Sequence, residues 1–329
     1  MHETHHRTPF KSNGINEFIH WITAWAHGAE PVFDRWGHAQ HHTHTYFPET
    51  DPESIGPRPV KLSNFFLPFI GIGIIKPFPI IKHALGIIDD YSKELVPETD
   101  WKKMIWSSRL WILMYVLIIA ASLYYHSILP LVYTLFARFY GAFIPTILNQ
   151  TQHVGLEQNV YDHRLITRNV KLNPVLSFLY WNMEHHIEHH MFPGVPFYAL
   201  SKLNVLVKDQ LPAPYKNIWT VYKEIIPTIF RQQKESNFHI TPVLPEVDKD
   251  GDKKSGHKNR NLSDNKNRLD AVIEGSTKWI PVFKVDYLSF DERIECPAHQ
   301  GRFDIHPFKG IHFSGVSFLL QNKYVKSLS

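Results

Sequence analysis

Three clusters of histidines are the residues whose types and spacing could do chemistry in this chain. The first is HETHH at residues 2–6, the second is HAQHH at 38–42, and the third is HHIEHH at 185–190. Histidines in the second and third clusters recur at offsets of zero, three and four, and these offsets share one face of an α-helix. Neutral imidazoles gathered from three segments suit iron, zinc, copper or nickel, so the pattern predicts a metal site.

One motif in the first cluster allows a simpler reading. HETHH satisfies the H-E-x-x-H pattern, in which His2 and His6 would bind zinc and Glu3 would act as the general base of a hydrolase. A mononuclear zinc site uses three protein ligands, and this reading leaves the later clusters without a role. Two metal ions account for the number of histidines better, and a mononuclear zinc hydrolase remains as an alternative.

Two long apolar runs lie between the second and third clusters. Residues 110–125 carry no charge, and residues 128–148 carry only Arg138. A helix needs about twenty apolar residues to cross a bilayer, so each run predicts a span. Only His126 and Ser127 separate the runs, which predicts a tight transmembrane helical hairpin.

Basic residues fix the expected orientation of this hairpin. Lys102, Lys103 and Arg109 precede the first run, and the excess of positive charge marks the cytoplasmic end of a span. All three clusters then lie on the cytoplasmic face. A third apolar stretch, at 65–81, is interrupted by prolines, which favours an interfacial or re-entrant segment.

These elements together predict the fold class. We expect an α-helical integral membrane protein in which a transmembrane hairpin carries a cytoplasmic, histidine-rich helical cap. The single cysteine excludes a disulfide framework and is typical of a reducing compartment. The formal net charge of +4 is compatible with an anionic membrane face and does not indicate a nucleic-acid partner.

The clusters and their flanking residues resemble the integral-membrane fatty acid desaturase and hydroxylase superfamily, whose three histidine boxes hold a non-haem di-iron centre. The resemblance covers residues 1–230 and lies in HETHHRTPFKSNGIN, HAQHHTHTYFPETDPE and WNMEHHIEHHMFPGVP, in that order. The family's N-x-x-x-H element after the last span is matched by Asn149 and His153. The resemblance implies that two iron ions are held by His2, His6, His38, His41, His42, His153, His186, His189 and His190, with Asn149 acting through a water molecule.

The resemblance also implies an activity. We expect a membrane-bound oxygenase, a fatty acid desaturase or hydroxylase, that acts on a lipid or other apolar substrate with O2 and an external electron donor. Both reactions begin with abstraction of hydrogen from an unactivated carbon, and both need a dry site beside an apolar channel. Ligand histidines commonly donate their second N–H to a carboxylate, and the nearest candidates are Glu3, Asp34, Glu184 and Glu188. His5, His44, His163 and His185 fall outside the ligand pattern.

The chain departs from the family at its beginning. Members normally carry two membrane helices before the first box, whereas this sequence starts inside it. The desaturase-like domain at 1–230 is therefore expected to lack the usual first two spans. An inactive, truncated remnant of such an enzyme is the alternative that this leaves open.

A second departure follows residue 230. Residues 231–278 are rich in Lys, Asp, Asn, Ser and Gly, which predicts a disordered polar linker. Residues 279–329 alternate as β-strands do, and Cys296 and His299 are similar to the second half of a Rieske ferredoxin site, as in hydroxylases of the rhizopine-catabolism type. A Rieske cluster needs two cysteines and two histidines. We therefore expect a small, degenerate β segment without a complete [2Fe–2S] cluster, and a separate ferredoxin or similar donor.

Overall fold

The computed structural model describes residues 1–73 and 77–245, together with the backbone of strands β1 (Lys284–Tyr287), β2 (Ile311–Phe313) and β3 (Val316–Leu319). The chain divides into two compact units, Met1–Val272 and Ile273–Ser329. The described residues of the first unit form helices and contain no β-strand.

The helices of the first unit begin and end as follows: α1 (His2–His5), α2 (Asn13–His27), α3 (Pro31–Thr43), α4 (Leu62–Phe66), α5 (Pro77–Ala84), α6 (Asp90–Leu95), α7 (Glu98–Tyr124), α8 (Leu129–Tyr133), α9 (Ala137–Gly141), α10 (Phe143–His153), α11 (His163–Ile166), α12 (Pro174–Leu179), α13 (His186–Met191), α14 (Phe197–Val207) and α15 (Ile218–Gln232). Single 3-10 turns lie at Leu67–Ile70 and Lys208–Gln210.

Helix α7 contains the first predicted span and extends it toward the N-terminus. It has 27 residues and, by length and composition, is the one helix of the described residues that could cross a membrane. Its buried side carries Ser107, Ser108 and Ser122, whereas Leu117 and Leu123 on its other side are exposed. A helix that turns serines inward and leucines outward reverses the pattern of a soluble helix, which suits a lipid surrounding.

The second predicted span is not a single helix. Residues 128–148 are divided among α8, α9 and the first half of α10. Thr134 leaves the helical conformation (φ −122°, ψ −80°), and its hydroxyl donates to the carbonyl of Pro130 (2.6 Å). Pro145 lacks the N–H that would continue a helix from α9 into α10. The transmembrane hairpin therefore stays a prediction.

The third apolar stretch is also interrupted, as its prolines predict. It contributes the end of α4, a 3-10 turn and the start of α5. Phe66, Ile70 and Phe78 in this stretch are exposed. No continuous helix of spanning length forms within its described residues.

Two apolar clusters hold the helices that carry the histidines. Val32 of α3 packs with Val96 and Met104, so the second histidine cluster is fixed against the start of α7. Val154, just after α10, packs with Phe65 and with the buried face of α15. That face consists of residues at helical spacing: Val221, Ile225 and Ile229.

The segment that follows α15 packs onto the domain. Ile240 donates its N–H to the carbonyl of Gly155 (2.8 Å), and Gln232 donates to the carbonyl of Phe238 (2.8 Å). These hydrogen bonds hold the chain against the domain as far as Ile240. The rest of the predicted linker lies outside the described residues.

The second unit contains one small antiparallel sheet. Its strand order is β1-β3-β2, with Val285 opposite Phe318 and His312 opposite Ser317. Cys296 and His299, on which the Rieske-like prediction depends, lie outside the described residues.

Gly71 lies where the 3-10 turn at Leu67–Ile70 packs closely against the backbone of α9. Its φ is +74°, and a Cβ at this position would lie 2.5 Å from the carbonyl oxygen of Arg138. Gly86 has a similar φ of +82° but open space around it. Gly71→Ala should therefore lower the free energy of unfolding by about 1–3 kcal/mol more than Gly86→Ala. Thermal unfolding of both variants in detergent measures this difference, and equal shifts would contradict the close packing.

Candidate metal centre

The first group of histidines draws on three helices. Ring nitrogens of His2, His38, His42 and His189 all lie within 4.8 Å of one another. His6 joins this group, because its Nε2 lies 2.9 Å from Nε2 of His38. The first, second and third sequence clusters therefore meet at one point.

The second group adds the C-terminal end of α10. Ring nitrogens of His41, His153 and His190 lie within 4.8 Å of one another. Nε2 of His186 lies 3.2 Å from Nε2 of His153 and 3.0 Å from Nε2 of His190. All the histidines assigned as ligands from the sequence thus fall into two groups.

The two groups adjoin one another. The rings of His42 and His190 stack with their centroids 4.3 Å apart. Helices α3 and α13 each supply both groups: on α3, His38 and His42 belong to the first group and His41 to the second, and on α13, His189 belongs to the first group and His186 and His190 to the second. The offsets of three and four thus place the histidines on one face, and that face is shared between two sites.

Asn149 lies beside the second group without joining it. Its Oδ1 accepts a hydrogen bond from the hydroxyl of Tyr180 (2.9 Å), and it lines the same cavity as His41 and His153. Gln152 donates to the Tyr180 oxygen (2.6 Å) and lies 3.3 Å from Nδ1 of His186. Asn149 is therefore linked to the second group through two polar side chains, and its role as a ligand stays a prediction.

Hydrogen bonds fix the orientation of four of these rings. Nδ1 of His38 donates to Glu53 (2.8 Å), and Nδ1 of His41 donates to Asp51 (2.9 Å). Nδ1 of His153 donates to the carbonyl of Ile166 (2.8 Å). The Thr45 hydroxyl gives its proton to the carbonyl of His41 (2.7 Å), so its oxygen accepts from Nδ1 of His190 (3.1 Å). In each ring, Nε2 is left with a lone pair that faces the group.

The carboxylates that accept hydrogen bonds from these histidine rings are not the four that the sequence suggested. Glu3 lies near the ligands, with Oε1 3.5 Å from His2 Nδ1 and 3.6 Å from His189 Nδ1. Asp34 binds His5 instead (2.6 Å), Glu184 accepts from Ser177, and Glu188 accepts from Asn169 (2.6 Å) and Asn204.

Asp51 and Glu53 were missed because they are distant from their histidines in sequence. The signal was present in the acidic FPETDPE segment that follows the second cluster. Asp51 also accepts the backbone N–H groups of Tyr46 (2.7 Å) and Glu53 (2.9 Å). This turn brings both carboxylates next to His38 and His41 of α3.

Burial keeps most of these imidazoles neutral. It is the main cause that lowers the pKa of His153 to about 3, and the pKa values of six others fall well below 6.5 for the same reason: His6, His38, His42, His186, His189 and His190. For His41, burial also lowers the pKa, but Glu53 and Asp51 outweigh it and raise the pKa above 6.5. Neutral imidazole is the form that binds a metal.

The donor set fits metal ions. Nε2 of His38 has one lone pair but lies within 3.1 Å of Nε2 of both His6 and His42, and a shared proton could satisfy only one of these contacts. His189 is 0% exposed, and neither of its ring nitrogens has a hydrogen-bond partner. Buried polar atoms normally find partners, and a cation between converging lone pairs would supply them.

The first cluster is tied to the neighbouring helices. The Thr4 hydroxyl lies 3.0 Å from Nδ1 of His20 on α2, and Arg35 on α3 donates to the carbonyl of Thr4 (3.3 Å). The side chain of Asn16 is fully buried and donates to the carbonyls of Arg7 (2.8 Å) and Phe10 (2.7 Å). These contacts fix the backbone on both sides of His6.

Arg168 supports the second group in a way that the sequence pattern did not indicate. It is 3% exposed, and its Nη1 donates to the carbonyls of Val154 (2.7 Å) and Thr151 (3.4 Å). A cation at this position stabilises the C-terminal end of α10. It thereby fixes His153 at the last turn of that helix.

A cavity of about 440 Å³ opens beside the second group. His41 and His153 line it together with the carboxylates Asp51 and Glu53. Arg138 lines it as well. The second group therefore faces a space in which a small molecule could bind.

Comparison with known proteins gives one match. The sequence model of the family described as "Fatty acid desaturase" matches residues 1–222. This range includes every residue of both histidine groups. No curated protein and no solved structure matches the chain.

Asp51 and Asp34 offer a matched test of how the rings are supported. Asp51→Asn removes the charge from the partner of His41 and should weaken metal binding by about 10- to 100-fold, as loss of such partners does elsewhere. Asp34→Asn changes the same charge beside His5, which belongs to neither group, and should leave metal binding within about twofold. Titration of both purified variants with cobalt measures this. Equal losses would show that His41 does not depend on Asp51.

Proposed function

The chain belongs to the fatty acid desaturase family, and on this premise we propose that it is a membrane-bound non-haem di-iron oxygenase of the desaturase or hydroxylase type. The family is membrane-bound, and its members are oxidoreductases of lipids. The proposed substrate is a lipid or other apolar molecule, the oxidant is O2, and a separate ferredoxin or similar protein donates electrons.

The observation that carries the proposal is the convergence of imidazoles, most of them kept neutral by burial, into two adjoining groups. One iron would be held by His2, His6, His38, His42 and His189, and the other by His41, His153, His186 and His190, with Asn149 acting through water. Bound iron would activate O2 for attack on an unactivated C–H bond. The chain's own part is to hold the rings through Asp51, Glu53 and Ile166, and to exclude water from the cavity beside them.

The position of Glu3 argues against the zinc hydrolase. A general base needs an oxygen that is free to take a proton from water. Oε2 of Glu3 accepts the N–H of Phe197 (3.1 Å), and Oε1 faces His2 and His189. Oε1 is buried without a hydrogen-bond partner, in a side chain that is 3% exposed, so bulk water does not reach the oxygen that would have to act as the base.

Iron content tests the proposal and its rivals. The full chain, purified in detergent, should contain about two iron ions, and His41→Ala, His153→Ala and His189→Ala should each lower that number, because each removes a donor from a group. His44→Ala, in neither group, should not change it. Metal analysis by mass spectrometry decides the matter. One zinc and no iron would favour the hydrolase, and full iron in His189→Ala would remove the third cluster from the site.

We propose further that the metal centre lies on the cytoplasmic face. Tyr125 and the turn after it would then face the opposite side, and the Lys103 region would face the cytoplasm. In a Cys296→Ser background, Lys103→Cys and Lys202→Cys should react with an impermeant maleimide from the cytoplasmic side of oriented vesicles, and Tyr125→Cys from the other side. Labelling of positions 103 and 202 from opposite sides would contradict the hairpin.

A further inference from the structure

The cavity beside the second group follows one face of α10. Pro145, Thr146, Asn149 and His153 line it and recur at helical spacing, and Arg138 lines it beyond the N-terminal end of that helix. α10 has 11 residues, which corresponds to about 16 Å. A ligand that touched both Arg138 and His153 would therefore be extended along the helix.

The two ends of this cavity differ in charge. Asp51 and Glu53 line the end beside the histidines, where they accept hydrogen bonds from His41 and His38. Arg138 lines it beyond the N-terminal end of α10, the end of that helix away from His153. Within residues 1–73 and 77–245, no hydrogen bond or carboxylate partner engages its guanidinium, which lies 4.8 Å from the centre of the Phe139 ring.

A cation in this place is unusual. Arg138 is the only charged residue between 128 and 148, and a charge in such an apolar segment is costly unless a partner or water compensates it. Ionisable residues in membrane segments commonly mark the path of a substrate. Guanidinium groups bind carboxylates and phosphates through two parallel hydrogen bonds.

We propose that Arg138 binds the anionic end group of the substrate and so determines which lipids enter the cavity. The ligand is an apolar chain that ends in a carboxylate or a phosphate. Arg138 attracts that end group, while Asp51 and Glu53 repel it, so the apolar part of the chain extends along α10 toward His153. This inference rests on the proposed function and narrows its substrate class.

Binding measurements on the full chain in detergent test this without turnover. Radiolabelled palmitate is the probe, and unlabelled lysophosphatidate and hexadecanol are the competitors. Wild-type protein should prefer the anionic lipids to hexadecanol by at least about tenfold, since the alcohol cannot pair with the guanidinium. Whichever of palmitate and lysophosphatidate binds more tightly identifies the end group.

Two substitutions locate the effect at Arg138. Arg138→Gln should weaken palmitate binding at least about tenfold and change hexadecanol binding less than about twofold, and Arg138→Lys should retain part of the preference. Arg109→Gln removes the same charge from α7, where Arg109 donates to the carbonyl of Ala84 (2.8 Å), and should change neither.

The inference is overturned if hexadecanol competes as well as the anionic lipids against wild-type protein, or if Arg138→Gln weakens both kinds of ligand equally. The wild-type competition does not depend on the folding of any variant. Binding is also read independently of iron content. A chain that binds palmitate through Arg138 but holds no iron would refute the oxygenase and leave the lipid site standing.

Discussion

The mutual approach of neutral imidazole nitrogens is the constraint on which the rest of the structure depends. Lone pairs that face one another at about 3 Å repel unless a cation or a proton lies between them, and burial disfavours protons on these rings. The fold must therefore hold the rings in place against their own repulsion. It does so from outside each group, through Asp51, Glu53, Thr45 and the Ile166 carbonyl.

Hydrogen bonds also join the histidine-bearing helices to α7, the apolar helix that could cross a membrane. The indole N–H of Trp36 on α3 donates to Asp100 in the first turn of α7 (2.9 Å), and the hydroxyl of Tyr115 on α7 donates to the carbonyl of Trp25 on α2 (3.2 Å). Both bonds lie on the protein side of α7. The position of the second histidine cluster is thus set relative to the apolar surface of α7, and not by the cluster alone.

The sequence located the converging histidines far better than the residues that support them. These histidines repeat at helical offsets within short segments, so local spacing was enough to find His38, His41 and His42. Asp51 reaches His41 through a turn, and Arg168 reaches the end of α10 from a loop that carries no repeating pattern. Such contacts depend on tertiary structure, which spacing along the chain does not encode.

The same limit explains the second apolar run. Hydropathy alone favoured one span over residues 128–148, because the average over the run hides where it bends. Thr134 and Pro145 interrupt the backbone hydrogen bonds of that run, and each break is a local event with little effect on the average. Because of this bend, α10 is a separate helix that begins at Phe143 and ends at His153.

The asymmetry of the two histidine groups follows from that geometry. Among the described residues, the cavity is lined by His41 and His153 of the second group and by no histidine of the first. The first group draws on all three clusters, whereas the second includes His153 at the C-terminal end of α10, which the cavity follows. A substrate that enters along α10 would therefore meet the second group first. The stacked rings of His42 and His190 mark where the two groups adjoin.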